Sequence, residues 1–459
     1  MKIKNINPIL AIFLLGIFLE ALDAFSFLSI PLPWIGLALL ISSYVFNYFF
    51  GFNYEFNELP SLRIWIFYLF IVTIFKALSF DQTMPEYTTT TFSQYISLRL
   101  LKLLGFIVAI WAVHLINVYL RKEKIIEYIV YVGLLISLLS LYSYFSYVFD
   151  FPDFNRTRAG SGGWSQPIRK ACSILRNYGT FREPSFLAVW LAPTIILIFA
   201  LARKKNWWYF VSVIPILSLV LTRSLTGVIG IVLVILIVSI IWILKKKSVN
   251  INLVIPIIII FMTSVFANNL SFKFPALDPS MCPPNTPDYC NCSIYDDEID
   301  EVKNSEEVTG SIFSRAGLII SGGLNSFSNI AYINEYMNIN GVKLFGEGIG
   351  IANINYSFQY EDLSNRVIER RVRFSNPGQV VSFNNLYANI LFSSGLLGFI
   401  WFSIILYKLV IHLVKRFSSL DVYVLSYLLL ILLMYFFQGE ELSISLGIAI
   451  GLATTSGKD

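Results

Sequence analysis

Arginine side chains are concentrated in loops that alternate with the lysine-rich turns of this chain. Arg176 and Arg182 lie just before an apolar segment, and Arg223 lies in the very short turn 221–227 between two apolar segments. A guanidinium group offers paired N–H donors that match the oxygen atoms of a phosphate. An arginine held between two apolar segments is costly unless it faces a polar cavity. The pattern therefore predicts a site that binds an anionic group.

Other residues in the same loops could complete the chemistry. Glu183 directly follows Arg182, and Arg315 opens a helix-compatible stretch in a second long loop. His114 lies inside an apolar segment and His412 near the end of another, so the candidate general base is a carboxylate. Glu183 is the best placed, with an ion pair to a neighbouring arginine as its alternative role.

Simpler roles are open for several of these side chains. The loop arginines could bind lipid phosphates at the interface, and Arg223 could extend toward water as a snorkelling arginine. Tyr178 and Tyr387 are candidates for stacking against a sugar ring, although aromatic residues at a membrane interface are commonly anchors. Asn384 lies at the end of the second long loop, three positions before Tyr387.

The composition identifies the medium in which these residues must be held. The 459 residues are 56% hydrophobic and only 14% charged, and the mean hydropathy is +0.68. Soluble domains have about 25% charged residues. A helix needs about 20 apolar residues to cross the hydrocarbon core. The predicted spans are 8–28, 33–51, 62–80, 98–120, 125–149, 186–202, 207–222, 225–244, 252–268, 386–414, 421–437 and 442–455. We therefore expect an all-α polytopic membrane protein with about 12 transmembrane helices.

The basic turns predict the orientation of these spans. Short turns such as 203–205 and 245–247 are dense in Lys and Arg, which accumulate on the cytoplasmic side. Both termini are then cytoplasmic, and the two long loops are extracytoplasmic. The net charge of +5 follows from these turns and does not indicate a nucleic-acid partner. The predicted organisation is transmembrane helices 1–5 in 1–149, a first periplasmic loop in 150–185, helices 6–9 in 186–268, a large periplasmic loop in 269–385 and helices 10–12 in 386–459.

No metal or cofactor site is predicted from the sequence. Cys282, Cys290 and Cys292 share the large loop, but their spacing lacks the paired cysteines or histidines of a zinc site. A disulfide closing Cys282 onto one of the other two and free thiols are both open. The glycine-rich stretch 344–350 lacks the strand and helix of a nucleotide-binding loop, so we expect a compact turn there.

The order of several motifs resembles the O-antigen polymerase and ligase superfamily of bacterial polysaccharide assembly. The motifs are Gly179-Thr-Phe-Arg-Glu-Pro-Ser185, Thr222-Arg-Ser-Leu-Thr-Gly227, Arg315, Leu344-Phe-Gly-Glu-Gly-Ile-Gly350, Asn384-Asn-Leu-Tyr387 and Ser394-Gly-Leu-Leu-Gly398. The ligase pattern has a histidine where this chain has Asn384. It also prefers Ser-Arg where this chain has Arg223-Ser224. These departures favour the Wzy-type polymerase.

The resemblance implies a GT-C-like membrane glycosyltransferase of the bacterial inner membrane with its active site facing the periplasm. Such an enzyme is metal-independent and inverting, and it moves a growing glycan from undecaprenyl diphosphate to the nonreducing end of the next lipid-linked repeat unit. The implied partners are this lipid-linked oligosaccharide, membrane lipid and a chain-length regulator. The implied catalytic residues are Arg223, Arg315 and Glu183, and the implied diphosphate or substrate ligands are Arg176, Arg182, Tyr178, Asn384 and Tyr387. The alternatives are an O-antigen ligase and a lipid-linked oligosaccharide flippase.

Overall fold

The fold is built almost entirely from α-helices. The computed structural model describes residues 7–49, 59–81, 83–86, 88–158, 175–248, 250–270, 272, 328–362, 380–439 and 442–455. The helices are α1 Asn7–Glu20, α2 Leu32–Phe49, α3 Pro60–Ser79, α4 Phe92–Tyr119, α5 Lys122–Val148, α6 Pro184–Ala202, α7 Trp207–Val211, α8 Val213–Leu221, α9 Leu225–Lys246, α10 Ile251–Asn269, α11 Ser328–Asn340, α12 Ile351–Asp362, α13 Leu386–Arg416, α14 Ser419–Phe437 and α15 Ile444–Thr454. Strands β1 Ser26–Phe27 and β2 Ile30–Pro31 form an antiparallel hairpin.

Each of the twelve predicted apolar segments contains a helix. Within the described ranges, seven helices are long and apolar enough to cross a membrane, namely α3, α4, α5, α6, α9, α13 and α14. The other predicted segments contain shorter apolar helices, with α7 and α8 sharing one of them. The prediction of a mostly helical chain is therefore confirmed. Seven of the twelve predicted spans have helices of spanning length, which is consistent with a membrane protein.

The first predicted span, 8–28, is wrong at its C-terminal end. Helix α1 stops at Glu20, and the β1–β2 hairpin occupies part of the remaining length. Asp23 lies between the helix and the hairpin. A carboxylate inside a span is expensive to desolvate. Ending α1 before Asp23 places that carboxylate among arginines instead of lipid.

The chain forms two compact units, each assembled from separate stretches of sequence. Unit 1 comprises Met1–Glu20, Pro33–Ile129 and Phe327–Asp459, and unit 2 comprises Ala21–Leu32 and Val130–Ser326. Arg176, Arg182 and Arg223 belong to unit 2, whereas Asn384 and Tyr387 belong to unit 1.

Polar contacts between helices reinforce the apolar packing of unit 1. His114 of α4 lies 2.6 Å from the hydroxyl of Thr454 on α15. The Trp65 indole of α3 donates to the carbonyl of Gly398 on α13 at 2.8 Å. A polar group in an apolar interior needs such a partner to offset its desolvation. These bonds fix which faces of the helices meet.

The glycine-rich stretch 344–350 forms hydrogen bonds with α13 where that helix is interrupted. That helix is interrupted at Gly395, where φ is +71°. The backbone N–H groups of Glu347 and Gly348 donate to the carbonyls of Phe392 and Ser393 at 2.8 and 3.0 Å. A Cβ atom on Gly395 would overlap the backbone of the inserted stretch. Backbone groups within a bilayer must find hydrogen-bond partners inside the protein. The stretch supplies such partners and is therefore a structural element, in agreement with the compact turn that we expected there.

Glu347 anchors this stretch to two further helices of unit 1. Its carboxylate accepts bonds from the Tyr336 hydroxyl at 3.0 Å and from the Asn355 side-chain amide at 2.8 Å, and it pairs with Lys343 at 3.2 Å. The side chain is only 4% exposed. Tyr336 belongs to α11 and Asn355 to α12, so one buried carboxylate joins both helices to the interrupted part of α13.

Candidate functional site

Residues 175–183 of unit 2 form the segment that assembles the arginines. The N–H group of Asn177 donates to the carbonyl of Leu221 at the end of α8, at 2.8 Å. The hydroxyl of Thr180 donates to the carbonyl of Ala21 at 2.7 Å. The last carbonyls of a helix lack intrahelical partners, so Asn177 caps α8 while Thr180 holds the residues that follow α1. One short segment thus joins two distant parts of the sequence.

Gly179 lets this segment lie directly on α5. Its φ is +50°, and a Cβ atom there would overlap Ser140 of α5, including its backbone. Glycine has no Cβ atom and adopts this left-handed conformation without steric cost. The glycine therefore fixes how closely the segment approaches the helix.

We expect Gly179→Ala to destabilise the protein by about 2 kcal/mol, because left-handed strain adds to the overlap with Ser140. Thermal unfolding of the purified protein measures the change. Gly341→Ala is the matched control, since Gly341 has φ +66° but nothing within 4 Å of its Cβ position. The control should show the strain alone. Equal losses in the two variants would contradict the close contact at Gly179.

Asp23 bridges two arginines beside this segment. The Nε of Arg182 donates to Asp23 Oδ2 at 2.8 Å. Nη1 of Arg158 binds the other carboxylate oxygen of Asp23 and donates to its backbone carbonyl at 2.9 Å. Burial raises the pKa of Asp23, but the charges of Arg182 and Arg158 together lower it by more. The net pKa of Asp23 is therefore below its usual value. Asp23 is therefore ionised and fixes both guanidinium groups.

Sequence reasoning missed this role of Asp23. The predicted first span enclosed it, and Arg158 was not among the predicted site residues. The available signal was the position of Glu20 and Asp23, two carboxylates that interrupt an otherwise apolar run. A carboxylate that breaks such a run marks the end of a helix or a buried ion pair.

Arg176 binds the backbone of the turn between α8 and α9 that carries Arg223. The Nε of Arg176 donates to the carbonyl of Thr222 at 2.9 Å, one residue before Arg223. Arg223 is 4% exposed and has φ +56°. Burial lowers the pKa of the Arg223 guanidinium, and the nearby Tyr144 partly opposes that shift. Positive charge at the C-terminal end of α8 is favoured by the helix dipole, which offers a structural role for both arginines.

Arg156 adds a further guanidinium group and lies against the ring of Tyr178. It pairs with Asp153 at 2.9 Å and donates to the Gly179 carbonyl at 3.0 Å. Its guanidinium carbon lies 4.2 Å from the centre of the Tyr178 ring. The ring is 8% exposed. Tyr178 thus presents its face to Arg156 inside the protein, an arrangement of the cation–π type.

Glu183 is the carboxylate nearest the start of α6. It occupies the N-cap position, before Pro184, and accepts a bond from the Ser185 hydroxyl at 3.1 Å. Burial raises the pKa of Glu183 above its ordinary value. The Ser185 hydroxyl and the charges of Arg182 and Arg176 oppose that shift without cancelling it. A carboxylate with a raised pKa is a stronger base, which suits the removal of a proton from a sugar hydroxyl.

Asn384 and Tyr387 stand at the start of α13 in unit 1. Asn384 is exposed, has φ +48°, and its side-chain oxygen accepts from the Ser382 hydroxyl at 2.9 Å. The Tyr387 hydroxyl donates to the carbonyl of Leu432 on α14 at 3.0 Å. Tyr387 therefore joins two helices, while the Asn384 side chain faces solvent. Arg315, Cys282, Cys290 and Cys292 lie outside the described residues.

Five arginines of unit 2 lie on or beside residues 175–183 and the α8–α9 turn. We define the cluster as Arg156, Arg158, Arg176, Arg182 and Arg223. The carboxylates in contact with it or within its electrostatic reach, over the part of unit 2 that the structure describes, are Asp23, Asp153 and Glu183. Guanidinium groups that are fixed in this way suit a ligand that carries phosphate oxygens.

Comparison with known proteins gives no family assignment for this chain. No family model matches it, and neither a curated protein nor a solved structure matches it. The chemistry of the arginine cluster is therefore the basis on which a function can be assigned.

Proposed function

We propose that this chain is an O-antigen polymerase of the Wzy type, which extends a polysaccharide on an undecaprenyl diphosphate carrier in the bacterial inner membrane. The observation that carries the proposal is the arginine cluster, assembled by one short segment beside a carboxylate of raised pKa. A sugar linked to a lipid diphosphate needs stabilisation of the charge that grows on the departing diphosphate. Arginines fixed before the reaction provide it without reorganisation.

The proposed reaction breaks the bond between the anomeric carbon and the diphosphate oxygen and forms one to the acceptor hydroxyl oxygen. The electron pair of the broken bond goes to the diphosphate, facing the arginine cluster. Glu183 accepts the proton that the acceptor hydroxyl loses. Attack from the face opposite the leaving group inverts the anomeric carbon.

The contacts divide the arginines into two groups. Arg176 binds the carbonyl that precedes Arg223. We assign both residues to the diphosphate, because guanidinium groups offer paired donors to phosphate oxygens. Arg182 is assigned to the same ligand and is held in place by Asp23. Arg156 and Arg158 are positioning residues, and Tyr178 supports Arg156 rather than a sugar. Arg315, Asn384 and Tyr387 keep the roles implied by the resemblance as predictions.

We expect Glu183→Gln to lower the rate of chain extension about a hundredfold. The base works only when deprotonated, so wild-type activity should fall as the pH drops through the raised pKa of Glu183, above the ordinary 4.5. The variant should lose this acidic limb from its profile of rate against pH. Glu127→Gln is the control, because that carboxylate pairs with Lys124 on α5. An unchanged acidic limb in Glu183→Gln would assign the proton transfer to another group.

Purified protein in lipid nanodiscs, supplied with an undecaprenyl-diphosphate-linked repeat unit, tests the proposed function directly. A ladder of products, each longer by one repeat, supports polymerisation. Transfer of a single unit to a lipid A core acceptor, without a ladder, would identify a ligase. Movement of the lipid-linked unit between leaflets with no new glycosidic bond would identify a flippase. Either of the last two results overturns the proposal.

A further inference from the structure

The tip of the β1–β2 hairpin combines backbone strain with apolar exposure. Leu28 and Ser29 form the tip, with φ of +49° and +66°. Two-residue hairpin turns with both residues left-handed are normally built from Asn and Gly, because a Cβ atom is costly in this conformation. Leucine is therefore an unfavourable choice for the turn itself.

The same tip exposes a continuous apolar surface. Phe27, Leu28 and Ile30 are 62%, 80% and 51% exposed, respectively. Exposed apolar residues are ordinary where a bilayer covers a protein. A leucine in a left-handed turn adds a steric cost that asparagine or glycine would avoid, and we take this cost as the mark of contact with an apolar ligand. The hairpin tip is defined as Phe27 to Ile30.

Hydrogen bonds attach the hairpin to the arginine cluster within unit 2. The N–H group of Ser26 donates to the Thr157 hydroxyl at 2.8 Å, and that hydroxyl donates back to the Ser26 carbonyl at 2.9 Å. The next residue, Arg158, donates its N–H group to the Ala24 carbonyl at 3.2 Å. Asp23, which holds two arginines of the cluster, is five positions before Leu28. The chain between them spans at most about 18 Å.

We propose that the hairpin tip binds the isoprenoid chain of a polyprenyl diphosphate whose head group lies on the arginine cluster. The inference rests on the proposed function and adds which part of the protein receives the lipid tail. A polyprenyl diphosphate has a strongly anionic head directly joined to an apolar chain. The arginine cluster matches the anionic head and the hairpin tip matches the apolar chain. The hydrogen bonds of Ser26 and Asp23 hold the tip at a fixed distance from the cluster.

Leu28→Asn separates ligand contact from folding. Asparagine tolerates the left-handed conformation better than leucine, so the variant should unfold at the same temperature or higher. Leu244→Asn is the matched control, because Leu244 is 76% exposed on α9, beside the basic turn 245–247. We expect Leu28→Asn to weaken binding of undecaprenyl diphosphate about tenfold, from the loss of one leucine contact.

Binding of inorganic diphosphate provides the second arm of the experiment. Its affinity should be unchanged in Leu28→Asn, because it lacks the isoprenoid chain, and Leu244→Asn should alter neither ligand. Equal affinities of wild type and Leu28→Asn for undecaprenyl diphosphate would overturn the inference. A parallel loss for both ligands would also overturn it, since the turn would then act only by shaping the arginine cluster. Altered stability of Leu28→Asn in phosphatidylcholine nanodiscs, with undecaprenyl diphosphate affinity intact, would identify bulk lipid as the occupant and reject the proposed one.

These measurements need no glycan and no turnover, so they are independent of the polymerase assay. Loss of chain extension in wild type together with the tenfold effect at Leu28 would reject the polymerase and keep a polyprenyl diphosphate site. Normal chain extension with no effect at Leu28 would keep the polymerase and reject the hairpin.

Discussion

Replacing Arg223 with alanine is expected to abolish polymer formation and to lower the rate of chain extension at least about a hundredfold. The Arg223 side chain is buried at the α8–α9 turn, where the Nε of Arg176 reaches the preceding carbonyl. Removing one preorganised donor from a site of developing negative charge costs about two to three orders of magnitude in other enzymes. Cells carrying the variant should display a single repeat unit on the lipid core instead of a ladder, as resolved by gel electrophoresis.

Three controls assign the effect to the guanidinium group. Arg223→Gly removes the side chain and also relieves the left-handed backbone, so it should be as inactive as Arg223→Ala without added strain. Arg223→Lys keeps the charge but loses the paired donors, and it should recover only part of the rate. Arg203→Ala, in the basic turn after α6, should leave the ladder intact. A normal ladder in Arg223→Ala would remove this residue from the site, and the loss of all surface glycan would favour a ligase or a flippase.

The helices of this protein could be predicted because their length is set by the bilayer. Spanning requires about 20 apolar residues with all backbone bonds internal, and all twelve apolar segments contain a helix. The exact ends could not be predicted in the same way. Asp23 lies in an apolar run, and its pairing with Arg158 and Arg182 gives a physical reason for α1 to end at Glu20.

Three of the five arginines in the cluster were predicted from the sequence, but their arrangement was not. Their placement opposite the lysine-rich turns selected Arg176, Arg182 and Arg223 from the sequence. Their geometry depends on bonds to backbone carbonyls, such as that from Arg176 to Thr222, which no side-chain pattern encodes. The contact between the Tyr178 ring and Arg156 was not predictable for a similar reason, because the fold of the loop brings the two side chains together.

The motif Asn384 to Tyr387 combines residues with structural roles and one exposed side chain. The Asn384-Asn-Leu-Tyr387 stretch begins α13, and the neighbouring Asn385 is its N-cap, accepting the N–H group of Ala388 at 2.9 Å. The Tyr387 hydroxyl is bound to α14. Asn385 and Tyr387 thus have structural roles, and the sequence alone does not distinguish these roles from contact with a substrate. The exposed Asn384 side chain is the part of the motif that is free to meet a ligand from solvent.

Asp23→Asn is expected to lower the free energy of unfolding by about 3 kcal/mol. The variant removes the shared partner of Arg158 and Arg182, whose side chains are 17% and 20% exposed, and leaves two guanidinium groups partly buried beside each other. Breaking a buried ion pair by removing one partner costs more than the pair itself contributes, because the remaining charge stays desolvated. Chemical denaturation of the protein in detergent measures the change.

A double-mutant cycle then assigns the loss to the ion pairs. Arg158→Gln should be less harmful in the Asp23→Asn background than in wild type, with a coupling of about 1–2 kcal/mol. The pKa of Asp23 is lowered below 3.8 in the folded protein, so its stabilisation is complete above that value and is lost only as the pH falls through the folded pKa. The difference between wild type and Asp23→Asn should therefore be constant from about pH 5 to about pH 8. Additive effects of the two substitutions would show that Asp23 and Arg158 act independently, and the arginine cluster would then require a different organising residue.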